Sequence, residues 1–435
     1  MARLLLALSL SAVLVTACRG QQPEADPSTR STPSPAPDSS GVTDGGTLAL
    51  PAWRQHVLLQ KDPRWAEALR IHFNALVVDG HVDTPMHLLE GYDLGRRHRS
   101  FEGHVDLPRL YEGGLDAAFF SIYVPAWLGE GAAATRRARA LIAEVRRQVA
   151  AHADSLEMAF SAADVRRITR AGKKAVLLGL EGGHALAASP DTLAALYRAG
   201  IRYVTLTHVN TNAWADASQT PPRHGGLNDL GRTMIRTMNR LGVLVDLSHT
   251  ADATFYDALA VSEAPVILSH SATRALTDVV RNASDDMLRA LAERGGVILI
   301  NFHEASVNRH LTPAVMDEVY RRLGGRTGDL RGLWATIAAV RRERGLPRAT
   351  LDDVLDHIDH AVRVAGIDHV GLGSDFDGAA LPAGLDDVTR LPWLTYGLLR
   401  RGYTEADLYK LLGGNVLRVL EAAEATARRL AASPD

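Results

Sequence analysis

Eight short apolar runs, separated by longer amphipathic stretches, constrain the fold of this chain more than any other feature of its sequence. Near-continuous apolar runs are typical of strands that are covered on both faces. The stretches between them carry helix signals: in residues 189–200, Ser189 suits an N-cap, Pro190 the first turn and Gly200 the end. The apolar runs are residues 75–83, 115–124, 174–183, 201–210, 242–250, 264–272, 295–303 and 368–378.

This alternation predicts an α/β fold, a parallel (β/α)8 TIM barrel, with an open doubly wound sheet as the alternative. Residues 304–367, between the seventh and eighth predicted strands, form a gap longer than one helix, so we expect extra helices inserted there. The chain has 435 residues, 46% hydrophobic, and a formal net charge of −2. That composition suits a large core and, without a basic excess, predicts no nucleic-acid partner.

Six of the eight predicted strands end in, or just before, histidine or acidic residues. In a barrel of this kind the carboxyl ends of the strands meet at one mouth, where active sites lie. In His81-Val82-Asp83 the two outer side chains point to the same face of an extended chain. A single histidine after a strand is usually a core residue, but a set of this size predicts a shared site. Its members are His81, Asp83, Glu181, His208, His249, His270 and Asp375.

Imidazoles and carboxylates together indicate zinc or a similar divalent ion. His81, Asp83, Glu181, His249 and His270 are too many ligands for one tetrahedral ion that keeps an open position. Two ions that share a bridging carboxylate use them economically. Such a pair activates water and polarises a carbonyl or phosphoryl oxygen.

The sequence resembles the membrane dipeptidase (renal dipeptidase) family, peptidase family M19, whose members are zinc peptidases with an amidohydrolase-like barrel. The matching stretches occur in the family's order from about residue 70 to residue 420, and as a set they are specific. They are DGHVD, GLEGGHAL, LTHVNTNAWADAS, LVDLSHT, VILSHSATRAL, VVRNASDDML, GLGSDFDG and LLGGNVLRV.

The resemblance implies how the ligands divide between two Zn²⁺ ions per chain. His81 and Asp83 would bind one ion, His249 and His270 the other, and Glu181 would bridge them. The implied activity is hydrolysis of dipeptides, including those with a C-terminal D-residue, by a hydroxide that bridges the ions. Hydrolysis of β-lactams is a further possibility within the family.

The resemblance also implies roles for three other residues. His208 would contact the substrate and stabilise the oxyanion, Arg281 would bind the terminal carboxylate, and Asp375 would carry the proton to the leaving amine. From the residues alone, the preferred interpretation of Arg281 is a surface arginine just ahead of a helix, and the alternative for Asp375 is a turn residue. His184, His224 and His303 fall near predicted loops at the mouth and receive no role. For the H-x-x-H of His357 and His360 we expect a structural role.

Two other functions stay open at this point. Other amidohydrolase-type enzymes, such as deaminases, lactonases or phosphotriesterases, typically carry His-x-His on the first strand and often a carboxylated lysine on the fourth. Here the first strand carries His-x-Asp, and the fourth ends in YVTLTH without a lysine. A non-catalytic metal-binding lipoprotein is the second alternative, which the complete ligand set disfavours.

The N-terminal segment predicts export. Residues 1–17 have the basic start, apolar middle and small-residue end of a signal peptide, and the sole cysteine, Cys18, follows in a pattern that resembles a bacterial lipobox. Residues 18–47 would form a lipidated, disordered tether, and residues 48–435 the barrel domain. We therefore expect the protein on the bacterial cell envelope, its only membrane contact being the lipid. Arg19 favours the outer membrane over other extracytoplasmic faces.

Oligomeric state follows only from the resemblance. Dimers are common in the family, so we expect a homodimer. The better-known secreted members use disulfides, whereas one cysteine allows none within this chain.

Overall fold

The computed structural model of this chain describes residues 62–324 and 330–433, without the side chains of residues 330 and 331. The predicted signal peptide, the lipidation of Cys18 and the predicted tether up to residue 47 lie outside the described residues and stay predictions. The same holds for the start of the barrel domain at residue 48.

The described residues form nine parallel strands, eight of which close into a barrel. Strand β2 pairs with both β1 and β4, and Asp79 of β1 pairs with Leu372 of β9, so the ring is complete. This closure confirms the (β/α)8 barrel and excludes the open doubly wound sheet. The strands are β1 Val78–Val82, β2 Ala117–Tyr123, β3 Leu156–Met158, β4 Lys174–Glu181, β5 Ile201–Thr205, β6 Leu244–Asp246, β7 Ile267–Ser271, β8 Val297–Ile300 and β9 Val370–Leu372.

The ninth strand, β3, was not predicted from the sequence. It pairs with residues 174–176 at the start of β4, whereas β5 pairs with residues 178–181 of the same strand. Its residues Leu-Glu-Met form no continuous apolar run, and Glu157 and Met158 are only partly buried, so the pattern of a doubly covered strand is missing. The predicted seventh and eighth strands therefore correspond to β8 and β9.

Sixteen α-helices accompany the strands in the described residues, and several begin where the sequence predicts. Ser189 and Ser284 accept hydrogen bonds from backbone N–H groups of the first turns that follow them, as expected of N-caps. The helices are α1 Pro63–Asn74, α2 Pro85–Leu88, α3 Leu107–Gly113, α4 Ala132–Ala151, α5 Ala162–Arg170, α6 Pro190–Ala199, α7 Asp229–Leu241, α8 Asp252–Val261, α9 Asp285–Glu293, α10 Glu304–Val307, α11 Pro313–Leu323, α12 Leu330–Glu343, α13 Leu351–Ala365, α14 Leu391–Arg400, α15 Glu405–Tyr409 and α16 Asn415–Ala432.

The predicted insertion lies between β8 and β9 and consists of α10, α11 and α12, followed by α13, which packs against the barrel. Helices α11 and α12 pack on each other around a small hydrophobic cluster of their own, separate from the main core. Its members include Val315, Val319 and Ile337, all buried. The insertion is thus a helical hairpin with its own core.

Two glycines bring segments unusually close to the barrel strands. A Cβ on Gly183, just after β4, would lie 2.3 Å from the carbonyl oxygen of Leu206, and one on Gly413 would lie 2.2 Å from that of Leu76. Both distances are far below contact, so only glycine fits. In the described part of the chain, no helix combines the length and apolar character needed to cross a membrane.

Candidate metal centre

The carboxyl ends of six barrel strands deliver the predicted site residues to one mouth. Glu181 is the last residue of β4, and His81 and His270 lie near the ends of β1 and β7. Three residues follow their strands by three positions: His208 after β5, His249 after β6 and Asp375 after β9. All seven strand-end residues line one cavity or contact residues that line it. Parallel strands of one barrel make this convergence possible, since they end on the same side.

Glu181 lies at the middle of the cluster, and its two carboxylate oxygens face different histidines. Oε2 lies 3.5 Å from Nε2 of His81, while Oε1 lies 3.4 Å from Nε2 of both His249 and His270. On the Oε2 side, Nε2 of His81 lies 3.3 Å from Oδ2 of Asp83. Each carboxylate oxygen thus faces its own imidazole or pair of imidazoles, while the rings of His81 and His270 stack with centroids 3.8 Å apart, so that His81, Glu181 and His270 also form one group of possible ligands.

These atoms suit divalent metal ions for two reasons: they are typical metal ligands, and two of them have no hydrogen-bond partner among the described residues. The ring atoms Nε2 of His249 and Nε2 of His270 lie 3.0 Å apart, a spacing suited to two ligands of one ion. Within the described residues, Nε2 of His81 and Oδ1 of Asp83 are buried and have no hydrogen-bond partner. Buried polar atoms are normally paired, so these are poised for a ligand that the protein itself does not supply.

The geometry also brings His208 and Asp375 within reach of the same ions. Glu181, His208 and His249 form one group that could hold a metal, and His81, Asp83 and Asp375 form another. Nε2 of His208 is more distant from Oε1 of Glu181, at 3.9 Å, than either neighbouring imidazole. Position alone makes these two residues either ligands or groups that act on a substrate beside the ions.

Residues behind the cluster fix its imidazoles. Tyr203 Oη lies 2.7 Å from Nδ1 of His81, which leaves Nε2 free to face the centre. Ser269 Oγ lies 2.8 Å from Nδ1 of His270 and donates to Asp246 at 2.6 Å. Hydrogen bonds of this kind select the tautomer and orientation of a metal-binding histidine. The sequence analysis gave no role to Tyr203, Ser269 or Asp246, because these residues precede the strand-end positions that reach the cavity: Tyr203 and Ser269 lie inside their strands, and Asp246 is the last residue of β6.

Electrostatics distinguish the two acids at the centre. Burial opposes ionisation of Glu181, but His81 and hydrogen bonds from His249 and His270 hold the pKa of its carboxyl well below the usual range. Burial and the neighbouring Asp83 carboxylate raise the pKa of Asp375 well above its usual value. Two carboxyls in one pocket with pKa values moved in opposite directions suit a ligand and a proton carrier respectively.

Asp375 is held in an unusual backbone conformation. Its φ is +63°, in the left-handed region, and His249 has φ +67°. Non-glycine residues adopt such angles rarely, and they concentrate at functional sites. Asn301 donates from Nδ2 to Oδ2 of Asp375 at 3.2 Å, so the carboxyl is fixed at its outer oxygen as well.

Arg281 lies in the loop between β7 and α9 and lines the same cavity, whose volume is about 740 Å³. Its guanidinium donates to Ser271 Oγ at 2.8 Å and to the carbonyl oxygen of His270 at 2.6 Å. Arg281 is therefore no free surface residue: two of its five N–H groups hold it beside the metal ligands, and the rest remain for a ligand.

Three histidines without a predicted role differ in their surroundings. His184 is buried, and burial lowers its pKa to about 4; neither ring nitrogen has a hydrogen-bond partner among the described residues. His303 lines the cavity, and its pKa is likewise lowered to about 4 by burial. His224 lies 2.9 Å from the carbonyl oxygen of Asn212 through Nε2 and thereby pins the loop after β5.

Comparison with protein families and curated sequences gives one consistent result. Residues 65–434 match the family described as membrane dipeptidase, peptidase family M19. The dipeptidase TcpJ of Claviceps purpurea (strain 20.1) is 38% identical over 363 residues, which cover 80% of this chain and 76% of that protein. The dipeptidase VerJ of Clonostachys rogersoniana is 33% identical over 386 residues, covering 85% and 89% of the two chains.

Solved structures agree in fold. The probable dipeptidase PvdM from Pseudomonas aeruginosa is similar with a TM-score of 0.74 and 27% identity, over 84% of this chain and 99% of that one. A metallopeptidase from Rhodobacter sphaeroides, solved with a phosphinate mimic of the dipeptide L-Ala-D-Ala, gives a TM-score of 0.67 and 27% identity over 80% and 99%. Both similarities extend over nearly the whole barrel.

Proposed function

Because this chain belongs to the membrane dipeptidase family, peptidase family M19, and is a metal-dependent dipeptidase, we propose that its centre holds two zinc ions and hydrolyses dipeptides, including those with a C-terminal D-residue. The observation that carries this proposal is the orientation of Glu181, with one oxygen toward His81 and the other toward His249 and His270. A carboxylate so placed suits a bridge between two cations.

The proposed partition follows the two oxygens of Glu181. His81 and Asp83 would hold one ion, His249 and His270 the other, and Glu181 both. The imidazole and carboxylate donor set favours zinc over magnesium or calcium, which prefer oxygen ligands alone. When bound, the ions would polarise the scissile carbonyl and lower the pKa of a water to near neutral.

His208 and Arg281 would bind the substrate. His208 is buried beside Glu181 and His249, where its ring N–H can donate to the oxygen that gains negative charge. Arg281 would bind the C-terminal carboxylate with the N–H groups that it does not use on Ser271 and His270. In a longer peptide an amide would stand where that carboxylate belongs, so the site would be restricted to dipeptides.

Asp375 would move the proton. In its ionised form Asp375 would accept the proton of the attacking water, and the pKa raised by burial and by Asp83 would let the carboxyl hold this proton until the departing amine takes it. Asn301, donating to Oδ2, would keep the other oxygen, Oδ1, directed at the reacting atoms. The separate assignment of His208 and Asp375 to substrate chemistry, not to metal binding, is part of this proposal.

Cleavage of substrates with a C-terminal D-residue is supported by the Rhodobacter sphaeroides relative, whose bound mimic represents L-Ala-D-Ala. The predicted signal peptide and Cys18 support a further part of the proposal, that the protein is exported and attached to the bacterial envelope by its N-terminal lipid. The homodimer stays a proposal that rests on family resemblance.

The decisive experiment combines metal analysis with hydrolysis. We expect two zinc ions per chain, cleavage of Gly-L-Ala and Gly-D-Ala, and loss of both activities with a chelator, reversed by added zinc. One ion per chain at full activity would contradict the binuclear proposal. Full cleavage of Gly-L-Ala with none of Gly-D-Ala would contradict only the stereochemical part.

A second experiment tests the carboxylate clamp. Wild-type protein should cleave Gly-Ala far better than Gly-Ala amide, which lacks the terminal charge. Arg281→Ala should lower kcat/KM for Gly-Ala by about 100-fold or more, because the substrate carboxylate then loses its charge-assisted hydrogen bonds to the guanidinium. The variant should leave the amide almost unaffected. Equal losses on both substrates would show that Arg281 supports the site in another way.

A further inference from the structure

The cavity over the metal centre continues beyond the ligands to the inserted helical hairpin. At that end its lining is mostly apolar: Val279 and Val280 come from the loop before Arg281, and Pro313, Met316, Tyr320 and Leu333 come from α11 and α12. We call these six residues the hairpin subsite. At the opposite end the cavity is lined by the metal ligands, Tyr123 and His208.

The hairpin subsite adjoins Arg281. Val279 and Val280 immediately precede this arginine in the chain, and Tyr320 lies close enough for its hydroxyl and the guanidinium to influence each other electrostatically. A substrate residue whose carboxylate is bound by Arg281 therefore carries its side chain next to the hairpin. This step rests on the proposed function, in which Arg281 holds the C-terminal carboxylate of a dipeptide.

We propose that the hairpin subsite binds the side chain of the C-terminal residue and makes the enzyme prefer dipeptides with a large apolar residue there. A cavity of about 740 Å³ is far larger than Gly-Ala needs and lies in the range of about 300–1,000 Å³ typical of pockets for much larger ligands. Filling its apolar end removes apolar surface of both partners from water, which favours binding in proportion to the area buried.

The wall of this subsite is held in place by polar ties at both of its ends. Gln219, from the loop after β5, donates from Nε2 to Oη of Tyr320 at 3.0 Å. Nε of Arg341 in α12 lies 3.3 Å from Oε1 of the buried Glu304. Together with the hairpin's own hydrophobic cluster, these ties give the substrate a preformed surface, so little ordering is required on binding.

Charge at the rim excludes one class of side chain. Asp278 and Asp317 line the same cavity, whereas the neighbouring Arg274 is already paired with Asp252 at 2.7 Å. An acidic C-terminal residue would bring a second carboxylate toward these two acids, and the two arginines among the described residues of the lining are engaged elsewhere, Arg274 with Asp252 and Arg281 with the terminal carboxylate. We therefore expect Gly-Asp to be the poorest substrate of the series below.

The test compares Gly-Ala, Gly-Leu, Leu-Gly and Gly-Asp on the zinc-loaded full-length enzyme, with both configurations of each chiral C-terminal residue. We expect kcat/KM for Gly-Leu to exceed that for Gly-Ala by about tenfold or more, because the larger leucine side chain places several additional methylene-sized groups in an apolar pocket. Leu-Gly should gain no comparable advantage. Equal rates for Gly-Leu and Gly-Ala, or an advantage confined to Leu-Gly, would overturn the subsite while leaving the dipeptidase proposal intact.

Substitutions in the hairpin test whether the preference for a large apolar C-terminal residue arises at the hairpin subsite. Leu333 is partly exposed to the cavity, so Leu333→Lys should reduce the ratio of Gly-Leu to Gly-Ala cleavage toward one, and Leu333→Ala should reduce it less. Leu346 packs on the same hairpin cluster without lining the cavity, and Leu346→Lys is the matched control that should keep the wild-type ratio. An unchanged ratio in both Leu333 variants would refute the assignment. Failure of the loaded enzyme to cleave any dipeptide would refute the proposed function and the subsite with it.

Discussion

Tyr203 and His81 are joined across the barrel by a hydrogen bond of 2.7 Å between the phenol oxygen and Nδ1 of the imidazole. The tyrosine ring can approach because residue 179 is glycine: a Cβ there would lie 1.9 Å from the ring. The contact orients Nε2 of His81 toward Glu181 and Asp83. A residue on β5 thus controls a ligand on β1.

Tyr203→Phe is expected to weaken zinc binding by about 10–100-fold, the range for loss of a partner behind a metal-binding histidine. The ring and its packing are retained, so the metal-free protein should still fold. Competition with a chromophoric chelator measures the affinity. Tyr396→Phe, which removes a tyrosine hydrogen bond to Asp62 far from the centre, serves as control. Equal affinities of wild type and Tyr203→Phe would show that the phenol does not set the orientation of His81.

Glu181→Gln is expected to reduce bound zinc from two ions per chain to one or fewer, because a neutral amide cannot balance two cations. The rate of dipeptide cleavage should fall by more than about 100-fold. This exceeds the loss expected when a residue that only hydrogen-bonds to a metal ligand is replaced. Elemental analysis of the purified protein gives the metal count. Glu424→Gln, which alters a carboxylate that accepts from the backbone N–H of Ala162, should retain both ions. Two ions in Glu181→Gln would argue against the bridge.

Asp377→Asn is expected to lower kcat about tenfold or more with the metal content unchanged, since misplacing a catalytic group slightly costs rate. Asp377 is buried, and it accepts from Thr84 Oγ1 and from the backbone N–H of His104, each at 2.5 Å. It thereby ties the turn that carries Asp375 to the loops after β1. An amide offers one acceptor oxygen in place of two charged ones, so the contact with Thr84 has to reverse its direction and the charge-assisted bonds are lost, at a cost of about 1–3 kcal/mol of stability.

A purely structural role of Asp377 would lower the melting temperature and leave kcat of the remaining folded enzyme unchanged. The kinetic measurement is therefore made well below the melting temperature of the variant. Asp116→Asn provides the comparison, because Asp116 accepts from Lys174 Nζ at 2.9 Å and from the backbone N–H of Val77 at 3.0 Å, at the amino-terminal ends of the strands. It should lose stability without losing kcat.

The stability of the protein should fall between pH 6.5 and pH 4 in part because of His357. This histidine is buried, Nδ1 accepts from the backbone N–H of Thr273 at 3.1 Å, and burial lowers its pKa to about 4 from an ordinary 6.5. In that window the unfolded chain binds a proton that the folded chain does not, so stability rises with pH and is complete above pH 6.5.

His357→Asn removes this proton, while Oδ1, bonded to Cγ like Nδ1 of histidine, can still accept from Thr273. Between pH 7 and pH 5 the wild type should lose about 2 kcal/mol more than the variant. Chemical denaturation of both metal-free proteins in the same buffers measures the difference, and contributions of all other groups cancel. Parallel pH curves for the two proteins would refute the prediction.

Much of the architecture could be predicted because it depends on local patterns. Runs such as 175–180 and 264–268 are continuously apolar, which is typical of strands covered on both faces. The short strand Leu156–Met158 could not be predicted in this way. Its place is set by the part of β4 that β5 leaves unpaired, and no pattern within three residues records that.

The residues of the candidate site likewise fall into two classes, those that the sequence indicates and those that only tertiary contacts reveal. Its ligands stand where strands end, and the resemblance to a family assigned them roles, including that of Arg281, which the residues alone did not distinguish from a surface arginine. Tyr203, Ser269 and Asn301 had no such signal. They matter through partners 122, 23 and 74 residues away in the chain, namely His81, Asp246 and Asp375, and proximity of that kind arises only when the barrel closes.

The sequence by itself determined that this chain builds a metal-dependent (β/α)8 barrel, because strand burial and strand-end chemistry are written in consecutive residues. Only the tertiary structure decided which oxygen of Glu181 faces which imidazole, and that the inserted hairpin borders the cavity beside Arg281. Both depend on distances between segments far apart in the chain, which are fixed by the packing of the closed barrel.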